Sequence, residues 1–162
     1  MNSKQYLTSL TIIHLGLLMG QVIFGVIAFF LNSQEDFSTE GDNSDLRNIF
    51  IYLVPFLILS GVSAGFFMMR SRLSMIQQKN SLAEKLQEYR TVLIMKYALM
   101  EGPALVALVA YLLTADLMFL GLAALVIVFF VLERPSKDKI IMDLALNSEG
   151  RSALQNPETK VL

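Results

Sequence analysis

The sequence predicts an all-α fold, an integral membrane bundle of four transmembrane helices with a cytoplasmic amphipathic C-terminal helix. Three observations predict it. Hydrophobic residues make up 54% of the chain and charged ones only 17%, too apolar a balance for a soluble domain of 162 residues. The apolar residues gather in runs at about 7–31, 49–69, 91–113 and 117–132; about 20 such residues cross the hydrocarbon core as a helix. Lysine and arginine collect in the segments that four crossings bring to one side.

The same composition excludes several kinds of chemistry. There is no cysteine, so disulfides, thiolate metal sites and cysteine nucleophiles are ruled out. A single histidine rules out a multi-histidine metal site within one chain. No basic run has the footprint of a nucleic-acid-binding surface. Neither a cofactor nor a metal is expected.

The first run, 7–31, exceeds the roughly 7–15 residues of a signal-peptide core and reads as a retained span. Its polar residues His14 and Gln21 are seven apart and share one face. Gly16 and Gly20 form a GxxxG pair, a spacing that lets helix backbones approach closely. The following segment, 32–48, sets Glu35, Asp36, Glu40, Asp42 and Asp45 against Arg47 and reads as an acidic loop around Ser38, Gly41 and Asn43. Ser44 or Asp45 caps the next helix.

The second span, 49–69, contains Pro55, which is expected to kink it. It then presents a second small-residue face at Gly61 and Gly65. Residues 70–90 are polar and basic. Ser81 to Glu84 fits a capping box, and Leu82, Leu86, Tyr89 and Leu93 follow on one face. The third helix therefore begins near Leu82, ahead of its span, with an amphipathic lead-in against the bundle or the lipid headgroups. Thr114-Ala115-Asp116 makes a tight turn, and Thr114 or Asp116 caps the fourth helix. Residues 1–135 form the transmembrane domain.

Residues 136–162 form the tail. Ser136 caps a short helix with Ile140, Ile141, Leu144 and Ala145 at helical spacing, expected to lie on the membrane surface and to end at Gly150. The residues after Asn156-Pro157 read as disordered. The loop at 70–90 and the segment holding Arg134, Lys137 and Lys139 are basic, and Lys4 joins them. Both termini are therefore expected to be cytoplasmic, with the acidic loop outside.

Glu101 stands out. At 1.5 Å per residue from Thr91 it lies about 15 Å into the third span, beside Gly102 and Pro103. His14 lies about 10 Å and Gln21 about 20 Å into the first span. Facing one another, the three would form an intramembrane polar cluster. A charged acid on lipid costs at least about 2.5–3.5 kcal/mol, so Glu101 is expected inside and protonated. Pro103 has no N–H and frees the Leu99 carbonyl, so a protonated Glu101 can donate there and brace a kink. The other reading makes Glu101, with His14 and Gln21, a proton or ion site. Lys96 is expected to snorkel to the headgroups, and Tyr6, Tyr52, Tyr89 and Tyr111 to form an aromatic belt. No phosphate loop, GxSxG or HExxH is present, so an enzyme is not expected.

In the run 90–111, Arg90, Thr91, Ala98, Met100 and Glu101 stand in an order and spacing that resembles the carboxylate-bearing helix of ATP synthase subunit c. The resemblance implies that Glu101 carries a proton and that Arg90 belongs to a polar loop. Gly61 and Gly65 resemble that family's small-residue-rich first helix. Taken together, the expectation is a small protein of a bacterial cytoplasmic membrane. It would be an accessory or assembly subunit packing against a membrane-protein partner or a second copy in the lipid bilayer. The alternative is a proton- or ion-translocating component.

Overall fold

The computed structural model describes residues 1–34 and 44–162, and among them every regular element is helical. The elements are α1 (Ser3–Asn32), α2 (Ser44–Gln77), α3 (Leu82–Thr114), α4 (Leu117–Leu132), α5 (Lys137–Asp143) and α6 (Ser148–Gln155). Three helices, α1 to α3, are long and apolar enough to cross a membrane, and α4 makes a fourth when joined to α5 across an 82° bend. The acidic residues Glu35, Asp36, Glu40 and Asp42 lie outside the described residues, as do Ser38, Gly41 and Asn43.

Helix ends follow local chemistry. Asn2 caps α1 in a reciprocal capping box with Gln5. Ala115 takes the left-handed conformation, φ 54°, that lets α3 stop and the chain turn. Asp116 then caps α4 by accepting from the Met118 N–H. That hydrogen bond and the Arg47 guanidinium, 2.7 Å away, hold the Asp116 carboxyl below its usual range. Ser136 caps α5 as its position suggests. Ser81 precedes α3, but its side chain makes no capping hydrogen bond, so the expected box is not formed. Pro55 and Pro103 lie inside helices that continue past them.

α3 is the hub. It packs against α1, α2 and α4, whereas α4 meets α1 and α2 only lightly. Two buried clusters result. One is built from large side chains at the end where both termini lie: Tyr6, Leu10, Leu86, Tyr89, Tyr97 and Phe130 among them. The other, near the α3–α4 turn, rests on small ones: Ala28, Ala107, Ala110 and Ala123 around Leu108, Tyr111 and Phe119. Alanine permits close helix approach there, whereas large side chains fill the other end.

The tail departs from expectation. Gly150 does not end a helix but lies inside α6; the break comes earlier, at Ala145, whose φ is 46°. The apolar residues Ile140, Ile141, Leu144, Leu146 and Leu154 join the aromatic cluster instead of facing lipid. Residues expected to be disordered are pinned: Val161 is buried, its N–H and that of Leu162 donate to the Met1 carbonyl, and Lys160 bridges to Asn2. The physical reason is length. α2 and α3 have 34 and 33 residues, about 50 Å each, whereas α4 has 16, about 24 Å. Their projecting ends offer the tail a protein surface. Gln77 donates to the Asp143 carbonyl (2.7 Å) and Tyr89 to the Asp143 carboxylate (2.8 Å), while Ser3 donates to the Leu154 carbonyl.

The aromatic belt is corrected as well. Tyr6, Tyr89 and Tyr111 are buried, and only Tyr52 is exposed. Tyr6 donates to the Leu86 carbonyl at 2.7 Å. Burial pushes the phenols of Tyr6 and Tyr89 well above their ordinary range, so both stay neutral donors.

Candidate functional site

The polar residues within the helices separate into three groups. His14 is 3% exposed and wedged between aromatic rings. Its ring stacks on Phe130 at 4.7 Å and lies against Tyr97 at 5.0 Å, and Nδ1 has no hydrogen-bond partner. Gln21 is fully buried, with both carboxamide atoms unpaired. Glu101 is half-buried and makes no hydrogen bond or ion pair among the described residues.

No hydrogen bond joins any two of these three residues. α1 and α3 run parallel: His14 stands at Tyr97 and Gly25 at Leu108, an equal advance along both helices. Gln21 is thus level with Ala104 and Glu101 with Leu18. On α3, Tyr97, Ala104 and Leu108 share the face toward α1. Glu101, four residues after Tyr97 and three before Ala104, falls on that same face by spacing, yet it is only half-buried. Gln21 and Glu101 both fall in the gap between the two core clusters. His14 belongs with the aromatic cluster.

The two glycine pairs also part company. Gly61 and Gly65 face α3. A Cβ on Gly61 would lie 2.6 Å from the Leu99 carbonyl oxygen and 2.7 Å from Pro103 Cγ; on Gly65 the nearest atom would be the Lys96 carbonyl oxygen at 3.4 Å. The Leu99 carbonyl, freed by Pro103, therefore turns toward a glycine on α2 and accepts no hydrogen bond from Glu101. Gly16 and Gly20 are exposed, and a Cβ there would meet nothing within 4 Å.

The chain's own ionic centre is one that sequence reasoning missed. Lys96 does not snorkel. It is buried, its Nζ 2.6 Å from Glu133 Oε2 and 3.9 Å from the centre of the Phe66 ring. Lys139 reaches the same carboxylate oxygen, and Tyr97 donates to the Glu133 backbone carbonyl at 2.9 Å. Burial pushes the Glu133 carboxyl up, but hydrogen bonds from Lys139 and Lys96 outweigh it and hold the group below its ordinary value. The signal was available: Lys96 and Glu133 lie nearly equidistant in sequence from the turn at Ala115, so an antiparallel α3–α4 pair brings them level. Among the described residues no group of His, Asp and Glu is arranged to hold a metal.

No protein family, characterised protein or solved structure was found to match this chain.

Proposed function

We propose that this chain is an integral membrane protein of four spanning helices, with both termini on the basic, cytoplasmic side, acting as an accessory or assembly subunit for a membrane-protein partner. The bacterial cytoplasmic membrane is the setting the reading assumes. Outward-facing apolar side chains on every long helix support the membrane setting, such as Val26 (63% exposed), Phe67 (77%), Met95 (51%) and Leu125 (63%); water does not sustain so continuous an apolar surface. α4, at 16 residues or about 24 Å, is short for a crossing, which a locally thinned bilayer accommodates at modest cost.

The observation that carries the assembly role is the bare glycine pair Gly16 and Gly20, which no other described residue covers. In lipid, helices associate through small residues that let backbones approach. Affinity purification after gentle solubilisation, with identification of what co-purifies, tests the reading. Recovery of a partner or a second copy, lost in Gly20→Ile, supports it; a solitary monomer overturns it.

A second reading, a proton- or ion-translocating component, rests on Glu101. An unpaired carboxyl in an apolar span can take up and release a proton without breaking a protein hydrogen bond. His14 and Gln21 lend it no support, since neither hydrogen-bonds to Glu101. Proton flux in vesicles separates the readings: unchanged flux in Glu101→Gln removes the transport reading, and lost flux with normal folding favours it.

A further inference from the structure

We propose that the end of the molecule carrying both termini holds an anionic phospholipid of the adjacent leaflet, in two adjoining grooves between α1 and the α4–α5 bend. The inference rests on the membrane reading above. Each groove encloses about 500 Å³, and Thr11 lines both. The inner one has apolar walls of Leu15, Leu18 and Val131, with Arg134 at its mouth and His14 lining it deeper in. The outer one sets Lys4 and Lys137 against a single acid, Glu158, beside Leu7 and Ile12.

Three observations select the ligand. The cations are available: neither the Arg134 guanidinium nor the Lys4 ammonium makes a hydrogen bond or ion pair among the described residues, and Lys137 spends one donor on the Gln155 carbonyl at 3.2 Å. The 82° bend after α4 sets Arg134 to Lys137 where the spans end, at headgroup level. An apolar trough lined by Leu15, Leu18 and Val131 runs inward from that point, past the ring of His14. A phosphodiester at the cations with an acyl chain in the trough matches this sequence of surfaces. An acidic peptide would leave the trough unused. The groove between α1 and α4 nearer the α3–α4 turn shows the contrast: Gln21 is its one polar lining residue, and no charge borders it.

Native mass spectrometry of the full chain in mild detergent tests this, titrating phosphatidylglycerol against phosphatidylcholine of the same acyl chains. Phosphatidylglycerol is expected to remain bound at concentrations at least tenfold lower. A cation near an anionic lipid surface is worth about fivefold, so Lys4→Gln/Arg134→Gln/Lys137→Gln together should abolish the preference. Removing three cations of the same end outside the grooves, in Arg70→Gln/Arg72→Gln/Lys85→Gln, should preserve it. Thr11→Trp, which fills the shared wall without altering charge, should displace the lipid. Circular dichroism verifies folding of each variant. Equal retention of the two lipids, or equal losses in the two triple variants, overturns the proposal. Alkaline carbonate extraction separates the two failures: a chain that stays in the membrane pellet yet shows no lipid preference sinks only the lipid site, whereas a chain washed off sinks the membrane reading too.

Discussion

The two faces of this molecule that carry GxxxG spacing have opposite surroundings. At Gly61 and Gly65 the missing side chains are already used, because the α3 backbone and Pro103 fill the space. At Gly16 and Gly20 the same spacing opens onto nothing within 4 Å. The ionisable residues of α3 divide the same way. Lys96 is buried and matched by Glu133; Glu101 is half-buried and matched by no described residue. Identical motifs therefore distinguish cohesion within the chain from capacity for a partner only once their neighbours are known.

The sharpest way to break this contrast is Gly61→Ile. Its Cβ would overlap a backbone oxygen and a proline ring, neither of which has a rotamer to yield. A loss of about 3 kcal/mol or more is expected, seen as failure to recover folded protein in detergent. Stability near wild type would show that the α2–α3 seam is loose.

Glu133→Gln comes next. It strands the Lys96 ammonium in a buried site and should cost about 3–5 kcal/mol, read as a lowered circular-dichroism melting temperature. Lys96→Met combined with Glu133→Leu should recover most of that loss, since apolar groups of similar size replace a buried pair at little cost. A double variant as unstable as the single would mean that packing, not the stranded charge, is responsible.

Acid should act on the same centre. The Glu133 carboxyl lies below its ordinary value of 4.5 in the folded chain. Its stabilising contribution is therefore complete above that value and is lost as the pH falls through the lowered one. Melting temperatures measured down the acid range should decline for the wild type and decline less for the Lys96→Met/Glu133→Leu variant. Parallel declines would assign acid sensitivity to other groups.

The smallest effect on stability belongs to Gly20→Ile. With no neighbour to strike, it should change the melting temperature by the equivalent of about 0.5 kcal/mol or less while removing any co-purifying partner. A large destabilisation would place that face inside the fold.

Much of the local architecture was legible in the residues. Four apolar runs and the caps at Asp116 and Ser136 set most helix positions within a few residues, because apolarity and caps act over one or two turns. The long continuation of α2 to Gln77 was less legible, since a polar stretch such as 70–77 reads alike as loop or as projecting helix. The tail misled for a related reason. An amphipathic helix reports that it needs an apolar surface, and lipid and protein satisfy that need equally well; here the projecting ends of α2 and α3 supply it.

By itself the sequence determined which segments are helical, which residues are too polar for their setting, and where positive charge collects. These are properties of single residues and of neighbours within a turn. The tertiary structure alone decided which polar residues have partners. Lys96 pairs across an antiparallel hairpin, His14 lies between rings from two other helices, and Glu101 hydrogen-bonds to neither His14 nor Gln21. Depth follows from counting along one helix, but contact depends on the rotation of two helices about their axes, and that rotation is set by packing as close as the backbone contact at Gly61.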